Sequence, residues 1–116
     1  MSQPFDHVEL MDRLDGDLEF LEESLEILDE DSAPLLEAIR AAVTAGDAAA
    51  LVTSAHTLKG MLSNFCGEAA EEAARDLEAR GRERRLDGAD AVVMTLEEET
   101  ARLRTALQSF LEAQRA

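Results

Sequence analysis

The chain has one cysteine, Cys66, no tryptophan and no tyrosine, and only two prolines and six glycines in 116 residues. One cysteine forms no internal disulfide, so a reducing cytoplasm is the expected setting. Four phenylalanines are the whole aromatic content, and the apolar mass is Leu, Ala, Val and Ile. That favours helices packed on helices over a sheet, whose strands draw on β-branched and aromatic residues. No apolar run approaches the roughly 20 residues needed to span a bilayer. Met1-Ser2-Gln3-Pro4-Phe5-Asp6 lacks the basic and apolar segments of a signal peptide. Bases are scarce too: eleven against twenty-six acidic groups, a formal net charge of −15. This balance argues against nucleic acid or membrane as a partner. The imbalance is steepest over residues 1–37, which hold thirteen acidic groups and one base, Arg13. Such a surface keeps a protein soluble, so a monomer is expected, and it repels wrong partners.

The periodicity predicts five helices in a single domain over 1–116. A short one spans about 7–14, with Asp6 as its cap, Glu9 at the capping-box position and Phe5 placed to staple onto Leu10. Asp15-Gly16-Asp17 breaks it. Leu18, Leu21, Leu25, Leu28, Leu35, Ile39 and Ala42 then share one heptad register, with Ser32 the one polar residue on it. One helix is expected over about 17–45, kinked by Pro34, with a split near Asp31-Ser32 as the alternative. Gly46 is a natural stop and Asp47 a natural cap. Leu51, Ala55, Leu58, Leu62 and Phe65 follow a bundle seam in a helix over about 48–66. Ala70, Ala73, Ala74 and Leu77 mark another over about 68–80, ending near Gly81. Arg80 to Arg85 falls in a basic, solvated connection. The last helix, about 89–114, presents Val92, Val93, Leu96, Leu103, Leu107 and Phe110. Brief connections make neighbours antiparallel. The expected fold is all-α, an antiparallel up-down four-helix bundle with a short extra N-terminal helix.

Against this scarcity of bases, Lys59 is the only lysine. It lies one helical turn after His56, in Ala55-His56-Thr57-Leu58-Lys59-Gly60. Residues three and four apart share a helix face. His56, Lys59, Gly60 and Ser63 therefore form a stripe, with Val52 at its N-terminal end. The stripe lies one residue around from the seam, supported by packing on one side and open on the other. Neutral imidazole is a nucleophile near pH 7, since its unperturbed pKa is about 6.5. It can attack an activated phosphorus such as an aspartyl phosphate. Lys59 would supply positive charge for the roughly two negative charges gained. Gly60 costs about 1 kcal/mol relative to Ala inside a helix, and clearance for a phosphoryl group and a partner backbone is a reason to keep it.

The same string, followed by Asn64-Phe65 and Leu77-Glu78, resembles the histidine-containing phosphotransfer (HPt) domain of bacterial phosphorelays. Leu28-Asp29-Glu30-Asp31-Ser32-Ala33-Pro34-Leu35-Leu36 and Ala45-Gly46-Asp47 resemble the family's second-helix segment and turn. The likeness covers about residues 8–110 in architecture and 28–78 in sequence pattern. It implies that His56 is the phosphoacceptor and that Lys59 stabilises the phosphoryl group. It implies that Gly60 gives partner access, that Glu78 orients the imidazole from the adjacent helix, and that Asn64 is a recurrent polar position. It further implies exchange with aspartates of response-regulator receiver domains, including that of a hybrid histidine kinase. The receiver would bring the Mg²⁺, and this chain would hold no cofactor and no ATP site. The docking surface would be built from the second and third helices around His56. One departure stands out: the family usually has glycine ten residues after the histidine, where this chain has Cys66, with Gly67 next.

Rival functions fit the residues less well. A metal-binding bundle needs Glu-x-x-His pairs, but Thr53 precedes His56 by three and Pro4 precedes His7 by three. Asp15-Gly16-Asp17 and Asp87-Gly88-Ala89-Asp90 lack the ligand spacing of an EF-hand. His7 reads as a surface residue and Cys66 as a small buried hydrophobe. The Arg80–Arg85 cluster has a second reading, as a contact for the acidic rim of a receiver. The alternative function is a non-catalytic helical adaptor or inhibitor with an HPt-like fold. Met1 and the capped first helix suit a free-standing protein; a module of a larger hybrid kinase is the other origin.

Overall fold

Three aspartates open three of the five helices. The Asp6, Asp17 and Asp47 carboxylates accept hydrogen bonds at 3.0 Å from the backbone N–H groups of Glu9, Phe20 and Ala50. Each satisfies a donor that a helix start leaves orphaned and contributes about 1 kcal/mol. They begin α1 (His7–Leu14), α2 (Leu18–Ala45) and α3 (Ala48–Ser63); α4 (Glu68–Glu83) and α5 (Ala89–Arg115) follow. This computed structural model describes residues 4–116. The first three residues of the expected 1–116 domain and of the expected leaderless start lie outside the described residues. No strand occurs among those described.

α2 packs on α3 and α5, and α4 packs on the same two helices, in up-down-up-down order. The seam residues Leu21, Leu25, Leu28, Leu51, Leu58, Leu62, Leu77, Leu96, Leu103 and Leu107 are buried at its centre. α2 and α5 have 28 and 27 residues, against 16 each for α3 and α4. At about 1.5 Å per residue the long pair outruns the short pair by roughly 17 Å. α1 covers the exposed end. The Asp6 N–H donates to the Cys66 carbonyl at 3.2 Å, and the Arg13 guanidinium donates to the Ser63 carbonyl at 2.9 Å. Phe5 stacks on His7 at 4.3 Å and meets Phe110 edge-on at 5.5 Å. Glu9 does not complete the capping box, because its carboxylate takes Arg13 one turn on, at 2.9 Å.

Several element boundaries differ from the expected ones. α2, by contrast, is the one continuous helix expected, running through Pro34 without the alternative split. α3 ends at Ser63, not 66: Asn64, Phe65 and Cys66 close tighter bonds, to Met61, Leu62 and Ser63. Cys66 then turns left-handed, with φ 56°. That conformation suits glycine, which is the physical content of the departure at this position. Burial pushes the Cys66 thiol up from its ordinary value, leaving it protonated at neutral pH. α4 runs through Gly81 to Glu83 and stops at left-handed Arg84, so the true connection is 84–88. Arg80 and Arg82 therefore belong to the helix: Arg80 bonds Asp76 and the Asp87 carbonyl. On α5 it is Leu111 that is buried, while Val92 and Phe110 are half-buried. No helix among the described residues is long and apolar enough to cross a membrane.

Candidate functional site

Gly81 sets the distance between the two helices that carry the site. A Cβ there would lie 2.7 Å from Val52 Cγ2 and 3.0 Å from the Ala48 carbonyl oxygen, so α4 rests almost directly on the α3 backbone. Glu78, one turn earlier on α4, is thereby brought over the flank of α3. It is buried, with 5% of its surface exposed. Its Oε2 lies 3.0 Å from His56 Nδ1, and its Oε1 lies 2.6 Å from Lys59 Nζ. Arg82 Nη2 donates to the same Oε2 at 2.6 Å. One buried carboxylate thus gathers an imidazole and two cations.

The His56 side chain remains 63% exposed. Lys59 is more enclosed, at 25%. Gly60 is exposed, and a Cβ built on it meets nothing within 4 Å. The space above it therefore serves no packing need of the bundle. Val52 points at Gly81 rather than at the open face. Ser63 is half-buried, its hydroxyl returned to the Gly60 carbonyl at 2.8 Å. Asn64 is exposed just past the end of α3. The structure brings Glu78 into direct contact with both His56 and Lys59; Gly60, Ser63 and Asn64 continue along α3 beyond them.

Arg82 was not anticipated as a member. The signal was present, since Glu78 and Arg82 are four apart, the spacing of a helical ion pair. It was hidden because Gly81 read as a helix stop, which put Arg82 in a loop. Among the described residues no group of three His, Cys, Asp or Glu side chains is placed to hold a metal.

Contacts to Lys59 first, then Arg82 and His56, hold the Glu78 carboxyl down to about 2, against the opposing effect of burial. An ionised carboxylate only accepts, so Nδ1 must carry the imidazole proton. In the neutral ring the lone pair is then on the remaining nitrogen, Nε2. The same shift has a consequence for stability. A carboxyl whose folded pKa lies below the ordinary 4.5 stabilises the fold above that value and loses this contribution as pH falls toward 2. At roughly 1.4 kcal/mol per unit the contribution is on the order of 3 kcal/mol at neutral pH. Glu78→Gln should therefore be less stable than wild type at pH 7, with the gap narrowing between about pH 4.5 and 2. Denaturant titrations at several pH values would check this, and a gap independent of pH would refute it.

The bundle and this cluster define a class: a small helical domain that holds one exposed imidazole against a buried carboxylate. The Hpt domain family model matches residues 19–113, and the chain belongs to that family. It is a histidine-containing phosphotransfer domain, of the kind that serves phosphorelays of two-component signalling with receiver domains, as a carrier rather than an ATP-using enzyme. Among solved structures it is similar to histidine-containing phosphotransfer protein B (HptB) from Pseudomonas aeruginosa PAO1. The two share 26% sequence identity with a TM-score of 0.87, over 97% of this chain and 98% of that one. No match was found among curated proteins.

Proposed function

We propose that this chain is a phosphorelay intermediate that accepts a phosphoryl group on His56 Nε2 from the aspartyl phosphate of a receiver domain, and returns it to such an aspartate. The observation that carries the reading is the contact at 3.0 Å between His56 Nδ1 and buried, ionised Glu78. It fixes the tautomer and leaves Nε2 free. The Nε2 lone pair attacks phosphorus, an N–P bond forms, and the P–O bond to the aspartyl carboxylate breaks. The carboxylate leaves with the bonding pair. Nδ1 keeps its proton, and Glu78 balances the positive charge gained by the ring. Lys59 and Arg82 offer cations for the phosphoryl oxygens, Lys59 by exchanging its carboxylate contact for a phosphoryl one. Any Mg²⁺ belongs to the receiver, whose aspartate is the other reacting group.

The test is transfer from a receiver domain prephosphorylated with labelled acetyl phosphate. Wild type should gain acid-labile, base-stable label, and His56→Gln should gain none. Label that persists in His56→Gln, or no label on wild type from any receiver of the same genome, would sink the proposal.

Gly60 yields a second prediction of the same reading. Gly60→Ala fills open space in a helix interior, so the fold should gain up to about 1 kcal/mol. Transfer from a receiver should nonetheless slow by about tenfold or more, because the added methyl meets the partner. Melting temperature and transfer rate moving in opposite directions would confirm it; unaltered transfer would mean that no partner backbone comes near Gly60.

A further inference from the structure

We propose that the docking surface beside His56 selects receiver domains whose own docking face carries basic residues. This rests on the phosphotransfer reading of His56. Two large apolar side chains lie exposed on α2, Phe20 at 58% and Ile27 at 54%. They are seven residues apart and so share one flank. Phe20 lines a groove of about 210 Å³ with Leu14 of α1 and Asn64 at the end of α3. That places the flank on the α3 side of α2. Between it and His56 lie Thr57, Gly60 and Asn64, all exposed and uncharged. A partner resting on Phe20 and Ile27 would cross the open space over Gly60 and reach the imidazole.

Charge decides which partner. α2 carries eight acidic residues before its first base, Arg40. On the flank toward α5 two of them are paired within the chain, Glu22 with Arg115 and Asp29 with Arg104, and Glu26 lies in the same groove. Beside the apolar ridge the acids stand unpaired. Glu23, Glu30 and Glu37 recur every seven residues, are exposed, and have no ion pair among the described residues. Glu37 is level with His56, and Glu30 with Ser63, each pair being equidistant from the Gly46–Asp47 turn. On the other side of His56 stand the cations Lys59 and Arg82. The face is therefore polarised across the imidazole. A receiver with its aspartyl phosphate toward α4 and basic groups over α2 satisfies both halves. One with an acidic rim is repelled along the length of α2. Steering of this kind changes association rates by about 10 to 10³-fold at low salt and fades as the Debye length shrinks.

The experiment uses prephosphorylated receiver domains of the source genome, some with basic and some with acidic surroundings of the phosphorylated aspartate. They are mixed with wild type and with the triple variant Glu23→Lys/Glu30→Lys/Glu37→Lys. Each transfer rate is divided by that chain's own rate of labelling by phosphoramidate, so that only docking is read. Wild type should favour the basic receivers by about tenfold or more near 25 mM NaCl, an advantage that shrinks toward parity by about 250 mM. The triple variant should reverse the ranking. An unchanged ranking, or rates indifferent to salt, overturns the docking proposal while His56 remains the acceptor. Labelling by phosphoramidate but by no receiver sinks the relay proposal, and this docking proposal with it. Labelling of His56 by neither donor further removes His56 as a phosphoryl acceptor.

Discussion

Gly81→Val should destabilise the bundle by about 3 kcal/mol or more and slow phosphotransfer in whatever fraction still folds. The position is buried within α4, and even a lone Cβ would lie 2.7 Å from Val52 Cγ2 and 3.0 Å from the Ala48 carbonyl oxygen. Neither neighbour yields easily: valine is stiff about χ1, and the carbonyl is part of the α3 backbone. Overpacking typically costs 1–3 kcal/mol for one or two methylenes, and valine adds two methyl groups beyond the clashing carbon. Gly81→Ala is the finer instrument. Its clash is set against about 1 kcal/mol of helix propensity gained, so its net loss should be only about 1 kcal/mol. The methyl would still push α4 outward one turn from Glu78, loosening the 3.0 Å contact with His56. Val52→Ala in the Gly81→Ala background should recover part of both stability and rate, since it removes the nearest obstructing atom. Equilibrium unfolding and receiver-to-His56 transfer on the four chains of this cycle would measure the coupling. A Gly81→Val protein as stable as wild type would mean that α4 does not depend on this close approach.

That glycine also marks where the sequence could and could not be read. The seams, the Asp6 and Asp47 caps and the bundle were visible because each depends on local spacing: Leu51, Ala55, Leu58 and Leu62 bury together simply by lying on one stripe of α3. Two other features depend on what a residue meets across the bundle. Gly81 looks the same in sequence whether it stops a helix or admits a neighbouring backbone; only the position of Val52 distinguishes them. Ending α4 there removed Arg82 from consideration and with it the fourth member of the cluster. Cys66 is similar. Its left-handed backbone goes with a hydrogen bond that its carbonyl accepts from the Asp6 N–H, sixty residues away, a contact that no spacing rule contains. Pro34 passes through α2 because the residues around it are held by packing: Ser32 and Ile39 on either side are fully buried. Propensity alone left a split at that point open, and tertiary burial overrode it.

Glu78→Ala should slow transfer to His56 by about a hundredfold, the scale on which a reactive group misplaced by about 1 Å loses its alignment. Three side chains depend on this one carboxylate. Without it Nδ1 has no fixed acceptor, so the imidazole is free to protonate either nitrogen and to turn in its exposed position. Lys59, only 25% exposed, loses its counter-charge, and Arg82 is released to solvent. Removing one partner of a largely enclosed pair should also lower stability by about 1–3 kcal/mol, less than for a fully buried pair because Lys59 keeps some water. Slower transfer could then reflect a weakened fold rather than a misoriented ring, and Glu78→Gln separates the two. Its amide oxygen can still accept from Nδ1, whereas its ion pairs with Lys59 and Arg82 are gone. It should therefore lose much of the stability that Glu78→Ala loses, yet transfer within about tenfold of wild type. If both variants transfer equally slowly, the charge of Glu78 matters and its orientation of the ring does not. If Glu78→Ala transfers as fast as wild type, the imidazole needs no holding, and the 3.0 Å contact serves only the stability of the bundle.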